Sequence, residues 1–225
     1  MSIESFFGDW VKVINIPTLV KTLNSIPMNS ICPAKENVFK AFQLCPLSNC
    51  KVIFLGQDPY PQKGVATGIL FGNSSSVAEE SLSPSLQIIK EAAIDYTRPH
   101  NYPIIFDNTL ESWAKQGILM LNSALTVEVN KIGSHTQLWR PFISQLIKNL
   151  STYGNYLFVL FGQQAQTFEP YINKSNHILK ENHPAFYARS NKRMPSDIFY
   201  EINKYLKQEY KETIVWYNEF NEEVV

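Results

Sequence analysis

Four short apolar runs punctuate the chain, at 52–55, 118–121, 157–161 and, more weakly, 177–179. The first three lack the apolar–polar alternation of a half-exposed strand, so they read as strands covered on both faces. The segments between them keep helical time. Trp139, Phe142, Ile143, Leu146, Ile147 and Leu150 fall on one stripe and predict a helix over 139–150. Leu86, Ile89, Ala93 and Tyr96 predict a second over 84–96, and Asp107 as N-cap with Gly117 as terminator brackets a third. A fourth carries Ile198, Ile202, Tyr205 and Leu206. Strands alternating with helices are the rhythm of a parallel sheet. The predicted fold class is therefore α/β, a single domain over residues 1–225 with a central four-stranded parallel sheet flanked by helices; 225 residues suit one such domain.

Each predicted strand runs into a polar loop: GQDPYP at 56–61, NSA at 122–124, GQQAQ at 162–166 and HPAFYARS at 183–190. Open α/β sheets bind ligands beyond the carboxyl ends of their strands. Asp58, Asn122, Gln163 and His183 are thus expected on one rim, although they span more than half the chain.

Composition narrows the chemistry. Twenty basic residues against twenty acidic ones remove the case for a wholly basic nucleic-acid coat, so any such contact must be local. Three cysteines, Cys32, Cys45 and Cys50, are too few for a disulfide framework or for the four thiolates of a cubane cluster, and point to a reducing compartment. No GxGxxG follows the first strand, and neither GxxxxGK[ST] nor GxSxG occurs. The four histidines make no HxxxH pair and no ligand spacing with the cysteines, so no metal and no cofactor are expected. Glu4, Asp9 and Lys12 break up the N-terminal apolar stretches, which predicts a soluble intracellular protein without a membrane segment, cytoplasmic or, in a eukaryote, nuclear.

The loops are more specific than any of this. GQDPY after an apolar strand resembles the water-activating loop of the family 1 uracil-DNA glycosylases. GILFGN is similar to that family's uracil-stacking segment, SPSL to its proline-rich loop and LMLNSALTV to its uracil-reading strand. VLFGQQAQ resembles its Gly-Ser loop, and ENHPA the start of its minor-groove loop, all in the family's order. ICPAKENVFKAF and IVWYNEF extend the likeness to both ends.

The resemblance implies hydrolysis of the bond between uracil and deoxyribose in single- or double-stranded DNA, by a DNA-associated monomer, with a proteinaceous glycosylase inhibitor as a further partner. It gives Asp58 the attacking water and the sugar cation, and gives His183 the departing uracil anion. Asn122 reads the base edge, Tyr60 excludes a 5-methyl group, Phe71 stacks on the base, and the Gln57 amide assists. Ser83, Ser85 and Gln163 are implied phosphate contacts, Tyr187 the wedge that enters the base stack, and Arg189 part of a basic cluster with Lys192 and Arg193. Residue by residue, blander readings stay open: a turn Asp before Pro59, a His closing a strand before Pro184, a turn Asn, core aromatics, helix-capping serines and solvated cations. Pro61 stands where the family commonly has His, as in poxvirus relatives. Gln163 and Ala185 stand for serines, and Ser83 for a proline. These departures keep a second reading in play, a DNA-binding or replication scaffold of the same fold with weakened catalysis.

Overall fold

The computed structural model describes residues 3–97, 99–100 and 102–220. Its central sheet is built from β1 (Val52–Gly56), β2 (Ile118–Asn122), β3 (Leu157–Phe161) and β4 (His177–Glu181), all parallel, in the order β2-β1-β3-β4. Every residue of β1, β2 and β3 is buried, which is why their sequences carry no alternation. β4 is the edge strand and only half-buried, hence its weaker signal.

The helices that frame the sheet and the site are α1 (Ile16–Ser25), α2 (Pro84–Asp95), α3 (Glu111–Lys115), α4 (Thr136–Tyr153), α5 (Gly162–Gln166), α6 (Pro184–Ser190) and α7 (Asp197–Glu209), with two further five-residue helices at Ile3–Phe7 and Lys40–Leu44. The predicted stripe of α4 is buried along its whole length. The helix begins three residues before Trp139, whose indole donates to Thr126 Oγ1 (2.7 Å); that hydroxyl also meets His135 Nδ1 (2.9 Å), tying the first turn to the segment that follows β2. Pro141 lies inside the helix, in its second turn, and gives up the N–H that would otherwise bond to Gln137 O. Ile198, Ile202, Tyr205 and Leu206 are the buried face of α7. Among the described residues the apolar core is one contiguous cluster from Phe7 to Trp216.

Three local expectations change. Leu110, in left-handed conformation, precedes α3, and Asp107 caps it from further back by accepting from Thr109 N (2.9 Å) and Ser112 N (2.8 Å). The segments 162–166 and 183–190, read as loops, are the short helices α5 and α6. Helix α6 has little apolar periodicity to announce it. It forms because Pro184 presets the first φ, the His183 ring accepts from Ala185 N, and Asn191 (φ +51°) closes the end. Two antiparallel pairs were not legible either: Ile31–Cys32 with Val127–Glu128, and Ile104–Ile105 with Asn218–Glu219. Two-residue strands are too short to show a period.

Candidate active site

In the order β2-β1-β3-β4 the chain leaves β1 toward one neighbour and returns for β3 on the other side, so the loops part above β1 and open a crevice. A cleft of about 530 Å³ occupies it. Gly56 pairs with Asn122, so the loop Gln57–Pro61 starts level with the Asn122 amide. Ser123 secures the junction: its N–H donates to Gly56 O (3.0 Å) and its hydroxyl to Gln57 O (2.9 Å), with Ala124 N on the same carbonyl (2.9 Å).

Asp58 is half-buried on the cleft wall and accepts a 2.6 Å hydrogen bond at Oδ2 from Gly133 N. Burial pushes its carboxyl above the ordinary value, and the Gly133 amide pulls back against it. Asn122 is 5% exposed, and its Oδ1 is a buried acceptor without a hydrogen-bond partner. An unpaired acceptor there costs on the order of 1–3 kcal/mol unless a ligand fills it.

His183 follows β4 and lines the same cleft. Ala185 N donates to its Nδ1 (3.2 Å), which places the ring proton on Nε2. Burial, with the Arg189 charge behind it, lowers its pKa from 6.5 to about 4, so the ring is neutral at pH 7. Gly162 (φ +83°) permits the close approach of the neighbouring loop, since a Cβ there would lie 2.8 Å from the His183 Cβ.

Phe71 closes the floor. Its ring meets Phe161 (5.2 Å) and His183 (5.4 Å) edge-on, and its backbone sits at φ +63°, a strained conformation for an aromatic residue. The Tyr60 hydroxyl donates to Phe71 O (2.9 Å), locking that ring in place, and burial raises its pKa. Ser83 exchanges two hydrogen bonds with the fully buried Asn73, accepting from Nδ2 (2.9 Å) and donating its N–H to Oδ1 (2.7 Å). Ser83, Ser85 and Arg189 all reach the cleft.

Two expected residues lie elsewhere. Gln163 is exposed on α5, outside the cleft walls. Tyr187, expected to project as the wedge, is tucked under α6 instead: it is 7% exposed and its hydroxyl donates to Glu181 Oε1 (2.6 Å). The helical turn that buries Tyr187 turns its neighbour Phe186 outward, to 42% exposure. Of the basic cluster, Arg193 leans on Asp95 of α2 (3.5 Å) and only Arg189 faces the cleft. Sequence reasoning missed Asn73, Ser123, Gly133 and Ile132; the first two sit inside motifs already singled out, while the last two carry no chemistry-bearing side chain.

A parallel α/β sheet with a carboxylate, a neutral imidazole and an unpaired amide at its carboxyl end defines a site for an uncharged polar ring beside a centre that gains positive charge. The uracil DNA glycosylase superfamily model matches residues 42–207. Uracil-DNA glycosylases of Campylobacter jejuni and Mycoplasmopsis pulmonis are 40% and 38% identical to it, covering 86% and 83% of this chain and 83% and 82% of their own. The chain belongs to the uracil DNA glycosylase superfamily. The crystal structure of mimivirus uracil-DNA glycosylase superposes over 96% of this chain and 93% of its own with a TM-score of 0.72 at 25% identity. A variant of that viral protein, described in complex with UGI, matches with a TM-score of 0.71 at 24% identity, over 96% of this chain and 94% of its own.

Proposed function

We propose that this protein is a family 1 uracil-DNA glycosylase that hydrolyses the N-glycosidic bond of a uracil turned out of DNA, releasing uracil and leaving an abasic site to start base excision repair. The observation that carries this reading is the buried, unpartnered Oδ1 of Asn122 in the same cleft as Asp58 and His183. That oxygen accepts the imide N–H of uracil while the amide nitrogen donates to the 4-carbonyl; cytosine presents the opposite pattern. The bond from C1′ to N1 breaks toward an oxocarbenium-like sugar and a uracil anion. Asp58, ionised, faces the cation and orients the water whose oxygen bonds to C1′. Neutral His183 donates from Nε2 to the 2-carbonyl of the anion and needs no full proton transfer. One proton of that water leaves to solvent through Asp58, the other stays on the new C1′ hydroxyl, and the uracil anion takes a proton from solvent on release.

Phe71 stacks on the base, the Gln57 amide assists, and Tyr60 stands against a 5-methyl group. Ser83, Ser85 and Arg189 meet phosphates, and Phe186 is the better-placed wedge. No metal and no cofactor enter this mechanism. Burial of the three free cysteines fits a reducing, cytoplasmic setting, and we take the protein to act as a monomer. A protein inhibitor of the UGI kind, named with the mimivirus relative, is the further partner proposed.

The test is uracil release from an end-labelled strand carrying one uracil, with cytosine and thymine strands as controls, in chelator and with a separate alkali step. Release from the uracil strand alone, with cleavage only after alkali, supports the reading. DNA binding without release would favour the scaffold with weakened catalysis. Tyr60→Ala should add slow thymine release; none at all would remove the steric filter.

A further inference from the structure

Ile132 is 71% exposed, the most exposed large apolar side chain among the described residues, yet it lines the cleft that holds Asp58. Its loop is tied by hydrogen bonds on both sides of it. Asn130 N donates to Pro61 O (3.0 Å), Gly133 N to Asp58 Oδ2 (2.6 Å), Ser134 N to Lys131 O (3.2 Å), and Glu128 N to Ser134 Oγ (2.8 Å). Such pinning holds a branched apolar side chain in water at the mouth of the site, where a ligand entering the cleft would remove its surface from water.

The chemistry of the three lips says which part of DNA that ligand is. Ser83 and Ser85 offer hydroxyls on one lip and Arg189 a guanidinium on another, both suited to phosphate. On the Ile132 lip the adjacent cation, Lys131, is engaged by Glu128 (2.6 Å). An apolar tip beside a carboxylate repels phosphate and suits the flat face of a base. We propose that Ile132 packs against the nucleobase next to the turned-out uracil, so that it determines how strongly the neighbouring base contributes to substrate binding. This rests on the glycosylase reading and deepens it.

The experiment measures kcat/KM for the wild type, Ile132→Ala and Ile132→Leu on two single strands, one with ordinary bases flanking the uracil and one with abasic tetrahydrofuran residues at both flanking positions. Sugars and phosphates are retained in both, so the base is the only variable. On the ordinary strand alanine should lower kcat/KM about tenfold, mainly through KM, and leucine about twofold. With abasic neighbours the alanine loss should shrink to within about twofold. An equal loss on both strands, or a shift in the acid limb of the pH profile, would overturn the proposal, because the residue would then act on the sugar or through Asp58. No loss on either strand would overturn it too. Failure of the wild type to release uracil from the ordinary strand would instead overturn the glycosylase reading.

Discussion

The two walls of the cleft feel the same force and answer it in opposite ways. Burial disfavours charge on both Asp58, after β1, and His183, after β4. On the Asp58 wall the dehydration is countered: a backbone amide from Gly133 donates to the carboxylate and holds it toward its charged form. On the His183 wall it is reinforced, since Arg189 adds a like charge and the ring's one local hydrogen bond is spent on Nδ1 as acceptor. One low-dielectric cleft thus sets a carboxyl group steadied by a backbone amide beside a neutral imidazole. Glycosidic cleavage that releases an anionic base wants that pairing, because the sugar gains positive charge while the base gains negative charge.

The harshest way to break this comparison is to remove each partner. Asp58→Asn should cost about 10³-fold in kcat with DNA binding retained, and His183→Ala about 10²-fold. Single-turnover release on one labelled strand checks both, and similar small losses would dissolve the asymmetry.

The second probe is pH. Activity should rise with pH through the elevated Asp58 pKa and then cross 6.5 without another inflection, because His183 is already neutral above about 4. A step near 6.5 that vanishes in His183→Ala would show an imidazolium on the pathway.

The same depressed pKa bears on stability. Between about pH 6.5 and 4 the unfolded His183 takes a proton that the folded one refuses, so stability is complete above 6.5 and falls as pH drops toward 4. Its share of that fall is on the order of 3 kcal/mol. Chemical denaturation of His183→Gln across this range should flatten the slope. Arg189→Ala carries the smallest effect: the His183 pKa should move upward, read by NMR titration of the ring, and a downward move would contradict the role of that charge.

The strand ends were the legible part of the site. Asp58, Asn122 and His183 each follow an apolar run, and a parallel sheet of such runs brings its carboxyl ends together whatever the helices between them do. The α6 region was not legible. Whether Phe186 or Tyr187 faces solvent depends on a seven-residue helix that starts on a proline and an imidazole cap, and on the Glu181 carboxylate that receives the Tyr187 hydroxyl. Gly133 escaped for another reason. It acts through its backbone N–H, and no residue type advertises a backbone donor 75 positions from the carboxylate it serves.

Apolar runs and helical spacing alone determined the parallel sheet and the set of polar loops at its rim, because burial on two faces leaves a signature that needs no knowledge of partners. Tertiary structure decided the electrical state of those loops. Ionisation depends on water excluded and on dipoles aimed from distant segments, so the upward shift of Asp58 against the pull of the Gly133 amide, and the downward shift of His183 under burial and the Arg189 charge, exist only once those segments are folded together.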